Sequence, residues 1–105
     1  MTGLRHIVLC AFQTEATPET ISLLTREFAQ LKQRIPGVLH FECGSNVSPE
    51  GLDNGFSHCF TITFADAAAR DVYLTHPAHL DFVDQLKPWL DKVQVFDYFP
   101  QQNPG

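Results

Sequence analysis

The run from Arg5 to Phe12 carries apolar positions on both faces of a strand: His6, Val8, Cys10 and Phe12 share one, while Ile7, Leu9 and Ala11 share the other. Strand side chains alternate with a period of two, so the segment is predicted to be a central strand covered on both sides. Thr17-Pro18-Glu19-Thr20 then reads as a helix start, with Thr17 as N-cap and Pro18 at the first helical position. Ile21, Leu24, Phe28, Leu31 and Ile35 recur at spacings of three and four, the stripe of one helix, which ends at Pro36-Gly37. Val38 to Cys43 is predicted as a second strand, and Gly44 to Gly55, rich in Asn, Ser, Pro and Gly, as a long exposed loop.

Phe56 to Phe64 has the cleanest alternation. Phe56, His58, Phe60, Ile62 and Phe64 face one way, and Ser57, Cys59, Thr61 and Thr63 face the other. A second helix begins at Ala65-Asp66, carries Ala67, Ala68, Val72 and Tyr73, and breaks near Pro77, because the residue before a proline is pushed out of helical geometry. A further helical segment through Phe82, Val83, Leu86 and Trp89 leads to a last strand from about Val93 to Phe99.

The order strand, helix, strand, strand, helix, strand predicts an α+β, ferredoxin-like βαββαβ fold with an antiparallel sheet of order 4-1-3-2. The first and third strands are expected as parallel neighbours in its middle, which sets His6 and His58 side by side at one sheet edge. With the helices on one face, the other still shows Ile7, Leu9, Ala11, Leu39, Phe41 and Phe96. An open apolar patch of that size exceeds what soluble monomers carry. A homodimer stacked through these sheet faces removes it.

At 105 residues and 11.8 kDa, with 44% hydrophobic and 18% charged residues, the chain is expected to be a single folded domain over residues 1–105. A net charge of -5 argues against a nucleic-acid partner, whose phosphates call for a basic face. The apolar run Ile7 to Phe12 is far shorter than the ~20 residues of a membrane span, and no signal-peptide cleavage pattern is present. The expectation is a cytoplasmic protein without a membrane partner. Cys10, Cys43 and Cys59 are odd in number, lack metal-ligand spacing and lie in strand-like runs, so they read as reduced, buried, small apolar residues. The polar tail Gln101 to Gly105 is expected to fray.

Chemistry concentrates in Tyr73-Leu74-Thr75-His76-Pro77-Ala78-His79, together with His6 and His58 at the starts of apolar strands. Buried imidazoles need partners, and three elements bringing histidine toward one apolar layer can line a pocket for a small apolar or aromatic ligand. His76, Phe60 and Phe82 are expected to line it as well. The competing structural reading has His6 and His58 bonded to each other or to backbone, and the His76 to His79 junction capping free helix ends. No cofactor and no metal are expected. His76 and His79 have chelating separation but lack the third and fourth ligands of a zinc site, and Asp81 with Asp84 suggests at most a weak hard-cation site. His40 beside Glu42 reads as a solvent-edge residue, the 44–55 loop as a surface connection rather than a lid, and Trp89 as a core or dimer-rim anchor.

The segments Arg5-His6-Ile7-Val8-Leu9, Gly44 to Gly51, Gly55-Phe56-Ser57-His58, Tyr73 to His79 and Val95-Phe96-Asp97-Tyr98, in that order, resemble the stress-responsive dimeric α/β-barrel (Dabb) family over residues 3 to 99. The resemblance implies ferredoxin-like protomers that dimerise through their sheets into a barrel. A plant polyketide cyclase of the family closes a ring by intramolecular aldol condensation, with catalytic positions that match His6, His58, Tyr73 and His79 here. That implies a cofactor-independent cyclase or lyase acting on a polyketide-like or aromatic carbonyl compound. His79 would be the base, Tyr73 would position the substrate oxygen, and His6 with His58 would hydrogen-bond at the pocket floor. The alternative is a non-catalytic stress-responsive protein with a structural role. The oxygen chemistry of related barrel monooxygenases is disfavoured, because their Asn-Trp-His set is not evident.

Overall fold

The structure, a computed structural model, describes residues 3–101; the tail beyond Gln101 expected to fray lies outside them. Its elements are β1 (Leu4–Phe12), α1 (Pro18–Arg34), β2 (Val38–Ser45), β3 (His58–Phe64), α2 (Ala67–Thr75), α3 (Pro77–Leu86), a 3-10 turn (Lys87–Trp89) and β4 (Leu90–Tyr98). The helix starts are built as the local sequence dictates. Thr17 Oγ1 accepts the Thr20 N–H at 3.1 Å ahead of Pro18, and Asp66 Oδ1 accepts the Ala69 N–H at 2.8 Å to open α2. Between α2 and α3, His76 turns extended and Pro77 restarts the helix, with His76 Nδ1 accepting the Ala78 N–H at 3.0 Å.

The four strands form one sheet in the order β2-β3-β1-β4, the predicted ferredoxin-like arrangement. Every pairing is antiparallel, including β1 with β3, which corrects the expectation of parallel neighbours. The reason is topological. β2 and β3 join through a single loop and run antiparallel, whereas the helical crossover from β1 to β2 makes those two parallel, so β3 between them opposes both. Cys10, not His6, therefore faces His58, and the two histidines lie four residues apart along the sheet, about 13 Å at the usual strand rise.

The helix-facing side of the sheet forms the core. On β1, Leu4, His6, Val8 and Cys10 are buried, and on β3 so are Phe60, Ile62 and Phe64. Phe28 of α1 joins the layers, with ring centroids 4.9 Å from Phe60, 4.6 Å from Phe82 and 5.3 Å from Phe41. Phe41 was expected on the open face. An irregularity between Val38 and His40 shifts the β2 register and turns Phe41 inward, opposite Ile62. Ala11, also expected there, is buried. The open face keeps Ile7, Leu9, Leu39 and Phe96, with Phe96 63% exposed.

Gly37 carries the turn from α1 into β2 at φ 90°, and a Cβ there would stand 2.8 Å from the Ala69 Cβ of α2. A left-handed backbone and a steric clash coincide at this residue. Gly37→Ala is expected to destabilise the chain by about 2 kcal/mol, a fall in thermal midpoint of roughly 10 °C. Unchanged thermal unfolding would show that the α1–β2 turn relaxes freely.

Candidate active site

The helices leave the β4 edge of the sheet uncovered, and a cleft of about 470 Å³ opens between β4, the neighbouring part of β1, and α2 and α3. The register explains its floor. Val93, Val95 and Asp97 of β4 pair with Cys10, Val8 and His6, so all three share the helix-facing side. Val93 and Val95 remain 49% and 53% exposed there, an apolar wall without a protein cover.

At the Asp97 end, the buried His6 donates its Nδ1–H to Asp97 Oδ1 at 2.7 Å, and Arg70 Nη1 of α2 donates to Asp97 Oδ2 at 2.8 Å. Arg70 Nε also donates to Asp71 at 2.9 Å, so its charge is shared by two carboxylates. A carboxylate on Nδ1–H sets the tautomer of an imidazole and leaves Nε2 with the lone pair. Asp97 is thus the orienting partner of His6, and Arg70 holds Asp97.

Tyr73 lies beside this group at 1% exposure, and its hydroxyl has no hydrogen-bond partner. Its ring is held by Phe64 at 4.9 Å, His6 at 5.9 Å and His79 at 4.3 Å between centroids. Burial raises the phenol pKa well above its ordinary value, so the group stays a neutral O–H donor. His79 donates Nδ1–H to the Leu74 carbonyl at 3.2 Å, across the break between α2 and α3. Burial lowers its pKa, against the Leu74 hydrogen bond and aided by His6, and it is a neutral imidazole with Nε2 free to take a proton. Two bases with fixed tautomers and one unpartnered donor line the same cleft.

Three of the four predicted catalytic residues, His6, Tyr73 and His79, come together there. His58 does not. It sits at the far end of β3 with its ring against Phe12 at 5.2 Å and Nδ1 at 2.7 Å from Ser57 Oγ, and partial burial lowers its pKa. The expected lining residues also sit elsewhere: Phe60 and Phe82 are core residues closed against Phe28, and His76 spends Nδ1 on the α3 cap. The Nδ1 atoms of His76 and His79, the pair with chelating separation, are therefore both bonded to backbone.

Asp97 and Arg70 were not anticipated from the sequence. The signal was present in β4, where alternation places Asp97 on the apolar face beside a histidine of the neighbouring strand. The 46–57 loop is braced by Asn46 to Asp53 at 2.8 Å and by Lys92, which bonds Asn54 O and lies 4.4 Å over the Phe56 ring. With Leu9, Cys59 and Gln94 it borders a separate hollow on the open sheet face, so it is no lid for the cleft. His40 and Glu42 form an exposed pair, and Trp89 packs against the core. Of the cysteines only Cys10 is buried, its thiol pushed up to about 11 by burial; Cys43 is exposed and Cys59 intermediate. No helix among the described residues is long and apolar enough to cross a membrane.

Comparison with known proteins places this geometry. The chain is 38% identical over 96 residues to the stress-response A/B barrel domain-containing protein HS1 of Arabidopsis thaliana, covering 91% of this chain and 88% of that protein. It is 25% identical over 100 residues to olivetolic acid cyclase of Cannabis sativa, covering 95% and 99%. The crystal structure of At3g17210 from Arabidopsis thaliana superposes with a TM-score of 0.92 at 36% identity, over 94% of this chain and 96% of that one. A dimeric ferredoxin-like protein of unknown function from Jannaschia sp. matches with a TM-score of 0.80 at 27% identity, over 90% and 96%. The family model for the stress responsive A/B barrel domain aligns with residues 4–100, from the first residue of β1 to beyond the end of β4, and the chain belongs to that family.

Proposed function

We propose that the chain binds a small apolar or aromatic carbonyl compound in the β4 cleft and acts on it as a cyclase or lyase, by acid–base chemistry drawn from His6, Tyr73 and His79. The observation that carries this reading is the buried Tyr73 hydroxyl without a partner. Such a group costs about 1–3 kcal/mol unless something bonds it, and a carbonyl oxygen entering the cleft is the acceptor it lacks. The relationship to olivetolic acid cyclase supports the same class of reaction.

In this mechanism His79 Nε2 takes a proton from the carbon next to the carbonyl. The C–H electron pair moves into the enolate, whose oxygen is held by the Tyr73 O–H. The enolate carbon attacks a second carbonyl of the same molecule, forming the ring bond, and the imidazolium of His79 returns its proton to the new alkoxide. His6, fixed by Asp97 and Arg70 with its Nδ1–H engaged, presents Nε2 as the acceptor for the hydroxyl formed at the attacked carbonyl.

A second reading, a non-catalytic stress-responsive protein, draws on one observation: HS1, at 38% identity, is named for stress response and not for a reaction. Both readings include a homodimer. The open face carries Ile7, Leu9, Phe96 and Tyr98 around the sheet centre, and face-to-face stacking of two copies covers them. The Jannaschia relative described as dimeric supports that assembly.

Five outcomes are expected. In a turnover screen with β-polyketo and aromatic aldehyde substrates, Tyr73→Phe and His79→Ala each lower kcat/KM by about 100-fold or more, and equal turnover in the parent and His79→Ala would remove His79 from catalysis. The acid limb of the pH profile lies below the ordinary imidazole value of 6.5, since burial lowers the His79 pKa. The same shift means the unfolded chain binds more protons just below pH 6.5, so stability falls as pH drops through that window. Tyr73→Phe, which removes the orphan hydroxyl, raises the stability of the ligand-free chain by about 1 kcal/mol in thermal unfolding, and a loss of stability would mean the hydroxyl is bonded after all. The thermal midpoint rises with protein concentration and Phe96→Glu yields monomers in sedimentation, whereas a parent that sediments as a monomer would rule out the sheet-face dimer.

A further inference from the structure

The cleft is long as well as apolar. Asp97 and Val93, both on its floor, are four residues apart on β4, which spans about 13 Å. The acid–base group occupies the Asp97 end, and Val8, Val83 and Val95 form the stretch between. At the other end, with Leu90 and Val93, the cleft is bordered by Lys87.

Lys87 differs from every other charge on the cleft. Arg70 is held by Asp97 and Asp71, which uses both carboxylates of the lining. Among the described residues the ion pairs engage His6, Arg34, His40 and Arg70, and Lys87 belongs to none of them. Its place at the C-terminal end of α3 suits a cation in any helix, but that explains the charge and not its position on the rim of an apolar cleft with a carbonyl-seeking donor at the opposite end.

We infer that the substrate is an oxo acid: its reacting carbonyls gathered at the Tyr73 and His79 end, an apolar spacer lying on Val93 and Val95, and a carboxylate that pairs with Lys87 at the far end. This rests on the reading of the cleft as a carbonyl site. The half-exposed valines supply the apolar surface such a spacer would cover, and an unpaired ammonium at the rim selects the anion at little desolvation cost.

The experiment uses Trp89, the single tryptophan, two residues from Lys87 and adjacent to Leu90 of the cleft, as the reporter. A medium-chain ω-oxo carboxylate and its methyl ester are titrated against the parent chain and against Lys87→Met, Lys87→Arg and Tyr73→Phe. The acid is expected to bind about tenfold more tightly than the ester to the parent. Lys87→Met loses that preference by weakening the acid alone, Lys87→Arg keeps it, and the preference shrinks with added salt. Equal binding of acid and ester to the parent, with both weakened in Tyr73→Phe, would overturn the oxo-acid assignment and leave the carbonyl site standing. Absence of binding by either probe would overturn both.

Discussion

The antiparallel pairing of β4 on β1 organises everything in this protein that resembles a site. It sets the last strand beside the first, so that Asp97 meets His6 across 91 residues of chain at 2.7 Å. It also extends the sheet past the helices, which leaves Val93 and Val95 as an open floor instead of core. A register slip of one residue would turn Asp97 to the other face and leave the buried imidazole without its acceptor. The hydrogen bond and the cleft are thus products of one pairing.

The Tyr73 hydroxyl is tolerated because its ring is well held. Contacts with Phe64, His6 and His79 are each worth about 0.5–1.5 kcal/mol beyond area burial if they behave as ordinary aromatic pairs. Together they match or exceed the cost of about 1–3 kcal/mol for an unbonded buried hydroxyl. The ring therefore stays in place without help from its polar end, which is left without an internal partner. A donor with no internal partner has no protein hydrogen bond to break before it bonds an oxygen that reaches it.

Much of this architecture could be read along the chain, because periodicity reports elements directly. The strand alternation of Phe56 to Phe64, the helical stripe from Ile21 to Ile35 and the break at His76-Pro77 all correspond to observed elements, and with them His6, Tyr73 and His79 reach one cleft. What escaped were relations between elements. Parallel β1 and β3 would set His58 beside His6, but the hairpin and crossover together require the opposite. Strict alternation puts Phe41 on the open face, but a local irregularity in β2 breaks the period of two. Phe60 and Phe82 look like ligand-lining aromatics until Phe28, from a third element, closes on both. Asp97 and Arg70 belong to no local motif, being 27 residues apart and joined only through the sheet and α2.

Two apolar surfaces are left open on the chain, and their shapes assign them different roles. The sheet face with Ile7, Leu9 and Phe96 is broad and belongs to all four strands, with a hollow at its β2–β3 loop end. Such a surface is covered by another broad surface, and a second copy of the same sheet is the self-complementary choice. The cleft on the opposite side is concave, with a donor, two bases and the carboxylate that orients His6 grouped at one end of an apolar floor. A flat partner cannot satisfy the Tyr73 hydroxyl there, but a small molecule with an oxygen at its tip can. The proposed sheet-face dimer and the proposed ligand would use opposite sides of β1 and not compete for its residues, since Ile7 and Leu9 lie on the open face and His6 and Val8 line the cleft.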